Sequence, residues 1–207
     1  MTKLKDSKNF VSVKKDGQIF YGGHQNWLKE KGLSQFFRDR ACVVTAFTNV
    51  YFYMTGQRLV DFDTYNDVQY YFYRRIRPKA NGVPTAKSLL KRLDIINHKL
   101  GLSLSYRILE DRLTKRSSLE EKIAFIDQGL KNDRPIIFIN WLSKNIDVMS
   151  HHGLVITEMN KKDGKHELVV SSWGRSYRFF LEDFHNQPRT YTGFISCLKI
   201  PSLYLTP

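Results

Sequence analysis

A change in the spacing of apolar residues near the middle of the chain constrains the fold more than any other feature. Before about residue 133, apolar residues recur every three or four positions, as they do on one face of a helix. Later segments are short apolar runs or alternate apolar with polar residues, as β-strands do. The change predicts an α+β protein in which a mainly helical N-terminal lobe (about 20–132) packs on an antiparallel C-terminal sheet (about 133–200). No repeat or linker divides the chain, so we expect one domain over residues 1–207.

The start and end signals of individual elements make this prediction specific. Ser118 with Glu121, or Ser117 with Glu120, has the spacing of a capping box, in which two residues satisfy the free amides at a helix start. The predicted helices run from Cys42 to Met54, from Asp63 or Thr64 to the stop at Pro78, from about Leu89 to Gly101, and from the capping box to about Asn132. The predicted strands cover 10–13, 102–108, 136–142, 152–159, 167–172, 176–181 and 191–200, and a polar loop covers 29–39.

Cys42 lies in the first turn of the predicted helix that begins there. Free backbone N–H groups and the positive end of the helix dipole favour an anion at this position, and so favour a thiolate. The thiolate is the nucleophilic form of cysteine, which makes Cys42 a candidate nucleophile. A cysteine packed only as a small apolar side chain fits the same position, so a catalytic role requires partner residues elsewhere in the chain.

Two candidate partners lie in the predicted sheet. His152 begins a strand, where a neutral imidazole is placed to take the thiol proton and later protonate a leaving group, and His151 is its rival for that role. Ser171 and Ser172 lie at the end of the strand that returns beside His152, where a polar side chain is placed to accept the second imidazole N–H. Ser172 or a nearby carboxylate is the alternative to Ser171 for this orienting role, and Trp173 is placed to shield the hydrogen bond from water.

A glycine-containing loop upstream supplies a candidate oxyanion donor. Gly22 and Gly23 mark a loop that is able to turn sharply, and Gln25 follows it closely. The Gln25 side-chain amide and the Cys42 backbone N–H would together stabilise the negative charge that develops on an attacked carbonyl oxygen. Gln35 is closer to Cys42 in the sequence and is the rival donor.

Taken in this order, these motifs resemble those of the papain-like cysteine peptidases. Ser171–Gly174 (SSWG) is similar to the family's Asn-Ser-Trp-Gly segment, and His152–Val155 (HGLV) is similar to its His-Ala-Val segment. Tyr21–Trp27, Ala41-Cys42 and Asn49 resemble a bacterial branch whose members are similar to the bacteriocin-leader-processing (double-glycine) peptidases. The resemblance spans about residues 20–198 and is carried by these short motifs.

The resemblance implies a papain-like fold and a cysteine peptidase that cleaves a peptide or isopeptide bond through a thioester. The implied site residues are the nucleophile Cys42, the acid–base His152, the orienting Ser171 and the oxyanion donor Gln25. No metal or organic cofactor is implied. The chain departs from the family at two positions, with Val43 in place of the usual Gly and Ser171 in place of Asn, and both changes fit a reduced or lost activity.

Other functions fit the same sequence. A catalytically inactive papain-like scaffold would act as a binding module through its basic surface. An acyl or amide transferase would use the same residues with an amine in place of water. A metal site formed by His24, Cys42, His151 and His152 is not expected, because the chain has no close-spaced pattern of Cys and His ligands.

The chain is strongly basic, with a formal charge of +13. Residues 74–116 alone hold twelve basic and three acidic residues. Such a region attracts an anionic partner, although a basic surface that serves only solubility has the same composition. The chain has no zinc-finger spacing, RNP-like aromatic motif or Walker loop, so nucleic acid is not the expected partner. We expect a peptide or protein substrate, with 74–116 as the region for any anionic partner.

The sequence also bears on cellular location. No apolar run approaches the roughly 20 residues that a membrane span needs. Met1–Lys8 lacks the apolar core of a signal peptide, so we expect a cytoplasmic protein, although a secreted protein whose signal has been removed would begin in the same way. Cys42 and Cys197 are too few to make a disulfide scaffold, and a nucleophilic Cys42 has to be unbonded.

Overall fold

The computed structural model describes residues 1–100, 105–111, 115–143 and 149–199, which form a mixed helix-and-sheet protein. In this part of the chain the α-helices are α1 (Gln35–Arg38), α2 (Cys42–Met54), α3 (Phe62–Ile76), α4 (Ala86–Leu100), α5 (Leu119–Lys131) and α6 (Leu181–His185). Two 3-10 helices cover Ser7–Asn9 and Gln25–Lys31. The helices predicted from periodicity are confirmed as α2 to α5, and the capping box of α5 is Ser118 with Glu121.

The strands form two sheets. The main sheet contains β1 (Thr2–Lys3), β5 (Ser105–Glu110), β6 (Ile136–Trp141), β7 (His152–Lys162), β8 (Lys165–Ser172), β9 (Arg175–Phe180) and β10 (Tyr191–Lys199). Its order is β5-β10-β6-β7-β8-β9, β1 also pairs with β7, and every pair is antiparallel, as predicted. The small sheet contains β2 (Ser12–Lys15), β3 (Gln18–Tyr21) and β4 (Leu59–Asp61), with β2 antiparallel to β3 and parallel to β4.

Helix α2 is surrounded by protein on all sides. Every residue from Val43 to Tyr53 is buried, whereas the apolar spacing predicts burial of one face only. Strands β6 and β7 pack on α2, and α3 covers it elsewhere through contacts such as that of Phe47 with Phe72, whose ring centroids are 4.9 Å apart. The buried hydroxyls of Thr45 and Thr48 donate to helix carbonyls and so remain satisfied. The first turn of α2, which carries Cys42, is therefore part of the core.

Strand β6 is the buried centre of the main sheet. Its residues Ile136 to Asn140 are all buried, which requires protein on both faces of the strand, and both α2 and α5 contact it. In the antiparallel register, Asn140 lies opposite His152 and Val155 lies opposite Ser171. The start of β7 and the end of β8 therefore lie together at one end of the sheet.

The structure differs from the sequence predictions in three segments. The predicted polar loop 29–39 contains α1 and the end of a 3-10 helix, because elements this short show no periodicity. The strand predicted at 10–13 begins two residues later, as β2, and forms a hairpin with β3 whose turn residues, Asp16 and Gly17, have positive φ angles. Strands β1 and β5 precede residue 133 but pair within the main sheet, so both halves of the chain build it.

Some predicted positions cannot be compared with the structure. The residues Gly101, Leu102, Leu104, Arg112 and Ile200 lie outside the described ranges. Over the ranges that are described, none of the helices combines the length and the apolar character that crossing a membrane requires.

Candidate functional site

The Cys42 thiol lies where the first turn of α2 meets the start of β7. A Cβ atom on Gly153 would lie 2.5 Å from Cγ2 of Val43, so only glycine lets the strand approach the helix this closely. The backbone amides of Gly153, Val43 and Cys42 favour the thiolate, as the helix-start position predicts. Burial nevertheless acts more strongly and raises the pKa of the Cys42 thiol above its ordinary value. The expected net preference for a thiolate is therefore wrong for the isolated thiol.

His152 faces the same small cavity as Cys42. This cavity has a volume of about 10 Å³ and is also lined by Gln25 and Trp173. The His152 side chain is buried, and burial, together with the nearby His24, lowers the pKa of its imidazole to about 3. The ring is therefore neutral throughout the physiological pH range and able to accept a proton.

Ser172, and not Ser171, is the hydrogen-bond partner of His152. The distance from His152 Nε2 to Ser172 Oγ is 2.6 Å. The Ser171 hydroxyl instead donates to the backbone carbonyl of Tyr21 at 3.0 Å. The orienting contact predicted for Ser171 is thus made by the alternative residue Ser172.

Strand geometry explains why Ser172, and not Ser171, faces His152. Val155 lies opposite Ser171, so their side chains project from the same face of the sheet. His152 is three residues before Val155 and projects from the other face, which is also the face of Ser172. The alternation is visible in the sequence once the β7–β8 register is known, but the motif resemblance alone favours Ser171.

The Trp173 ring covers the His152 imidazole. The two rings are stacked with centroids 4.1 Å apart and an angle of 19° between their planes. Trp173 has a φ of 46°, which is uncommon for a bulky residue, and with Gly174 it forms the two-residue turn between β8 and β9. The ring lies beside the hydrogen bond between His152 and Ser172, as the sequence predicts for a shielding residue.

The turn that carries Trp173 is joined to the glycine loop before Gln25. The Gly174 N–H donates to the Gly23 carbonyl at 2.9 Å, and the Tyr21 N–H donates to the Gly174 carbonyl at 2.9 Å. These paired backbone bonds fix the histidine side of the site relative to the glutamine side.

Asn49 and Tyr65 hold the same loop from the helical side. The Asn49 Oδ1 atom accepts the Gly23 N–H at 3.0 Å and the Tyr65 hydroxyl at 2.6 Å. A Cβ atom at Gly23 would overlap the Tyr65 ring, and one at Gly22 would overlap the Ser171 hydroxyl. The two glycines are therefore required by close packing, and Ser171 contributes to that packing. The positioning role of Tyr65 is not evident in the sequence.

Gln25, and not its rival Gln35, lies beside Cys42. Gln25 begins the 3-10 helix Gln25–Lys31, whose free Asn26 amide donates to Nδ1 of His24 at 3.0 Å. The Gln25 side chain is buried against the small cavity, and the described part of the chain gives its amide no hydrogen-bond partner. Gln35 is exposed and hydrogen-bonds to side chains of its own short helix and the residue after it.

His151 lies at the entrance to the site and not within it. Its side chain is exposed, packs on Trp141 with ring centroids 4.8 Å apart, and accepts the Leu142 N–H at 3.3 Å. His151 and Trp141 line an open cleft of about 320 Å³, which Cys42 and His152 also line. Through this cleft the half-buried Cys42 and the edge of the buried His152 are reached from solvent.

The structure gives no support for a metal site. Across the described ranges, no group of three or more His, Cys, Asp or Glu side chains is arranged to hold a metal ion. Cys42 and Cys197 are both free thiols, so Cys42 is unbonded as a nucleophile has to be. The arrangement is a half-buried thiol, a neutral imidazole with a hydroxyl partner, and an amide donor without a partner in the described part of the chain. Such groups are able to carry out nucleophilic chemistry on a carbonyl.

Comparisons with known proteins add no assignment. No protein-family model matches the chain, and no curated protein sequence matches it. Function therefore has to be argued from the site itself.

Proposed function

We propose that this protein is a papain-like thiol hydrolase that cleaves a peptide or isopeptide bond through a thioester on Cys42. The observation that carries the proposal is the shared cavity of Cys42, His152 and Gln25, in which His152 is bonded to Ser172 and stacked on Trp173. His152 and Gln25 are buried and Cys42 is half-buried, and each has the chemistry that one step of acyl transfer needs. The order of these residues along the chain, which resembles that of the papain-like peptidases, supports the same assignment.

The reaction begins with proton transfer from the Cys42 thiol to His152. Each charge alone is disfavoured by burial, but the thiolate and the imidazolium stabilise each other when they form together. The sulfur attacks the substrate carbonyl carbon, and the Cys42 N–H and the Gln25 amide stabilise the resulting oxyanion. The C–N bond then breaks as the imidazolium protonates the leaving nitrogen. Water, deprotonated by His152, cleaves the thioester and regenerates the thiol.

Ser172 acts as a positioning residue in this scheme. With the Nε2–H of His152 donating to Ser172 Oγ, the Nδ1 atom is left as the proton acceptor for the thiol. The Trp173 ring excludes water from this bond and so keeps it from exchanging with solvent. Gln25 needs no reorganisation, because its amide is not committed to another group in the described part of the chain.

A second candidate function is an inactive scaffold of the same fold, and one observation favours it. Val43 occupies the space beside Gly153 at the thiol, and the cavity shared by Cys42 and His152 is only about 10 Å³. A substrate carbonyl has to enter from the larger cleft, whose wall also includes the buried Val43. An acyl or amide transferase would share every step up to the thioester.

Acetylation by p-nitrophenyl acetate separates these functions. The hydrolase or transferase forms an acetyl thioester at Cys42, which is detected by intact mass after an acid quench and located by peptide mapping. The Cys197→Ser control keeps the reaction, whereas Cys42→Ser loses it and His152→Ala slows it by about 10²–10⁴-fold. Acetylation of Cys42 that is slow and indifferent to His152 would leave only the scaffold. Adding an amine such as glycinamide then distinguishes transfer from hydrolysis by the product formed.

A further inference from the structure

A second cavity with a strongly basic lining adjoins the cleft at Cys42. It has a volume of about 470 Å³, and its lining includes Arg77, Lys79, Lys91 and Arg92 but no acidic residue. None of these four side chains forms an ion pair within the described part of the chain. Four unpaired positive charges around one concavity repel one another and create a local positive potential that an anion relieves.

The two cavities share one wall. Asn81, Gly82 and Val83 line both the basic cavity and the cleft that contains Cys42 and His152. The shared wall is a tight turn in which the Lys79 N–H donates to the Gly82 carbonyl at 3.1 Å and the Gly82 N–H donates to the Lys79 carbonyl at 2.8 Å. An extended chain that leaves the cleft over this turn reaches the basic cavity directly.

Arg40 fixes this turn relative to the nucleophile. Its guanidinium donates to the Ala80 carbonyl within the turn and to the Phe36 carbonyl at 2.7 Å, and it lies 3.6 Å from the centroid of the Phe36 ring. Arg40 precedes Cys42 by two residues, so the basic cavity is tied to the start of α2. Such rigid placement is what a specificity pocket beside a reacting thiol requires.

We propose that the basic cavity selects substrates by binding an acidic side chain, Asp or Glu, of the peptide beside the bond to be cleaved. This inference rests on the proposed function and names its substrate class. A peptide fits better than a nucleic acid, because the lining offers no aromatic ring on which a base would stack. The lining instead adds apolar surface from Val83, Pro84 and the half-exposed Ile95, which suits the rest of a peptide chain.

The test uses two peptide libraries of identical degenerate sequence in which one position is fixed as Glu or as Gln. Cleavage by the full chain is followed by mass spectrometry, and binding to the Cys42→Ser variant is followed by fluorescence anisotropy. The test variants are Lys91→Gln, Arg92→Gln and the two combined. The control is Lys87→Gln, which removes one positive charge, as each single variant does, from the same helix outside the cavity. The Glu library is expected to be cleaved and bound about tenfold better than the Gln library, in the range of electrostatic discrimination at partly exposed sites.

The outcomes are separable. Loss of the Glu preference in the double variant, with the preference intact in Lys87→Gln, supports the proposal. If a protein that is still acetylated at Cys42 cleaves and binds the two libraries equally, the proposed selection of acidic side chains is wrong and the proposed hydrolase is unaffected. Absence of acetylation overturns the hydrolase, and the binding measurement then decides alone whether the cavity takes acidic peptides. If a single-stranded oligonucleotide binds more tightly than the Glu library, and the double variant loses this binding, the proposed acidic peptide is wrong and the cavity binds nucleic acid.

Discussion

Two buried polar clusters of this molecule differ in how completely their hydrogen bonds are satisfied. In the Asp111 cluster (Asp111, Ser117, Lys122, His185 and Thr192), the carboxylate accepts from the Ser117 amide at 3.0 Å, the Lys122 ammonium at 3.1 Å, and the amide and hydroxyl of Thr192 at 3.0 and 2.7 Å. The fully buried ammonium also lies 3.2 Å from His185 Nδ1. This cluster joins α5, β10 and the segment after β5. Ser117 lines an open surface cavity, but Asp111 and Lys122 line none of the described cavities.

The site at Cys42 is built in the opposite way. The Gln25 amide has no partner in the described part of the chain, and His152 has a partner on one ring nitrogen only. A polar group without a partner costs stability where it is buried, so we expect the Gln25 amide and the second His152 ring nitrogen to be kept for a reason other than stability. A satisfied cluster holds the fold together, whereas an incompletely satisfied one has capacity left for a substrate.

Replacing Lys122 with Met removes the nearer cation of the buried Asp111 carboxylate and leaves, in the described part of the chain, only the Arg116 guanidinium, at 3.9 Å. We expect the free energy of unfolding to fall by about 3–5 kcal/mol, the range for breaking a buried ion pair from one side. Urea denaturation measures the change, and acetylation of Cys42 in the remaining folded protein should match the parent. The double variant Asp111→Asn with Lys122→Met should regain much of the loss. A stable Lys122→Met variant with slow acetylation would reverse the roles of the two clusters.

Replacing Gln25 with Ala should slow acetylation and leave the free energy of unfolding nearly unchanged. Loss of one oxyanion donor is expected to slow acetylation of Cys42 by about 10²–10³-fold. Unfolding should change little, because the amide makes no protein hydrogen bond in the described part of the chain to lose. Gln35→Ala is the matched control and should leave the rate unchanged, since Gln35 is exposed and away from the cavity. Equal rates for the two variants would remove Gln25 from the site.

The neighbouring serines offer the finest comparison. Ser172→Ala removes the partner of His152 Nε2 and is expected to slow acetylation about tenfold, which corresponds to one hydrogen bond of about 1.4 kcal/mol. Ser171→Ala removes the bond to the Tyr21 carbonyl and should lower the free energy of unfolding by about 1 kcal/mol, with the rate kept within about twofold. Rates and urea midpoints of both variants distinguish a positioning role from a packing role, and a slower Ser171→Ala would contradict the assignment.

Much of the fold is predictable because its signals are local. The periodicity that buries α2, the capping residues of α5 and the alternation of the strands all act over a few residues, and the structure confirms these elements. The addition of β1 and β5 to the main sheet depends on pairing with distant strands, to which no local pattern points. The full burial of α2 likewise depends on the α3 cover, so the sequence pattern alone indicates one buried face.

The candidate site also has features that the sequence predicts and features that depend on packing between distant elements. Cys42, His152 and Gln25 come from three separate segments, and the order of motifs is enough to bring them together in a prediction. The choice of Ser172 over Ser171 depends on strand register, and the raised pKa of Cys42 depends on burial by the rest of the chain. Neither property belongs to a motif, because each arises from packing between elements. The basic cavity is present in the sequence only as a charge excess over 74–116.

The pH dependence of Cys42 acetylation tests the proposed pair of Cys42 and His152 most directly. Burial lowers the pKa of His152 to about 3 and raises that of Cys42. Between about pH 5 and 8 the thiol therefore stays protonated and the imidazole stays neutral, so the number of protons on the pair does not change. We therefore predict a rate that is flat across this range in the parent protein. In His152→Ala the rate should be lower and rise tenfold per pH unit, as for a free thiol with a pKa of about 8.5 or above. A parent rate that also rises tenfold per unit, or that bends near the ordinary histidine pKa of about 6.5, would contradict activation of the Cys42 thiol by a neutral His152.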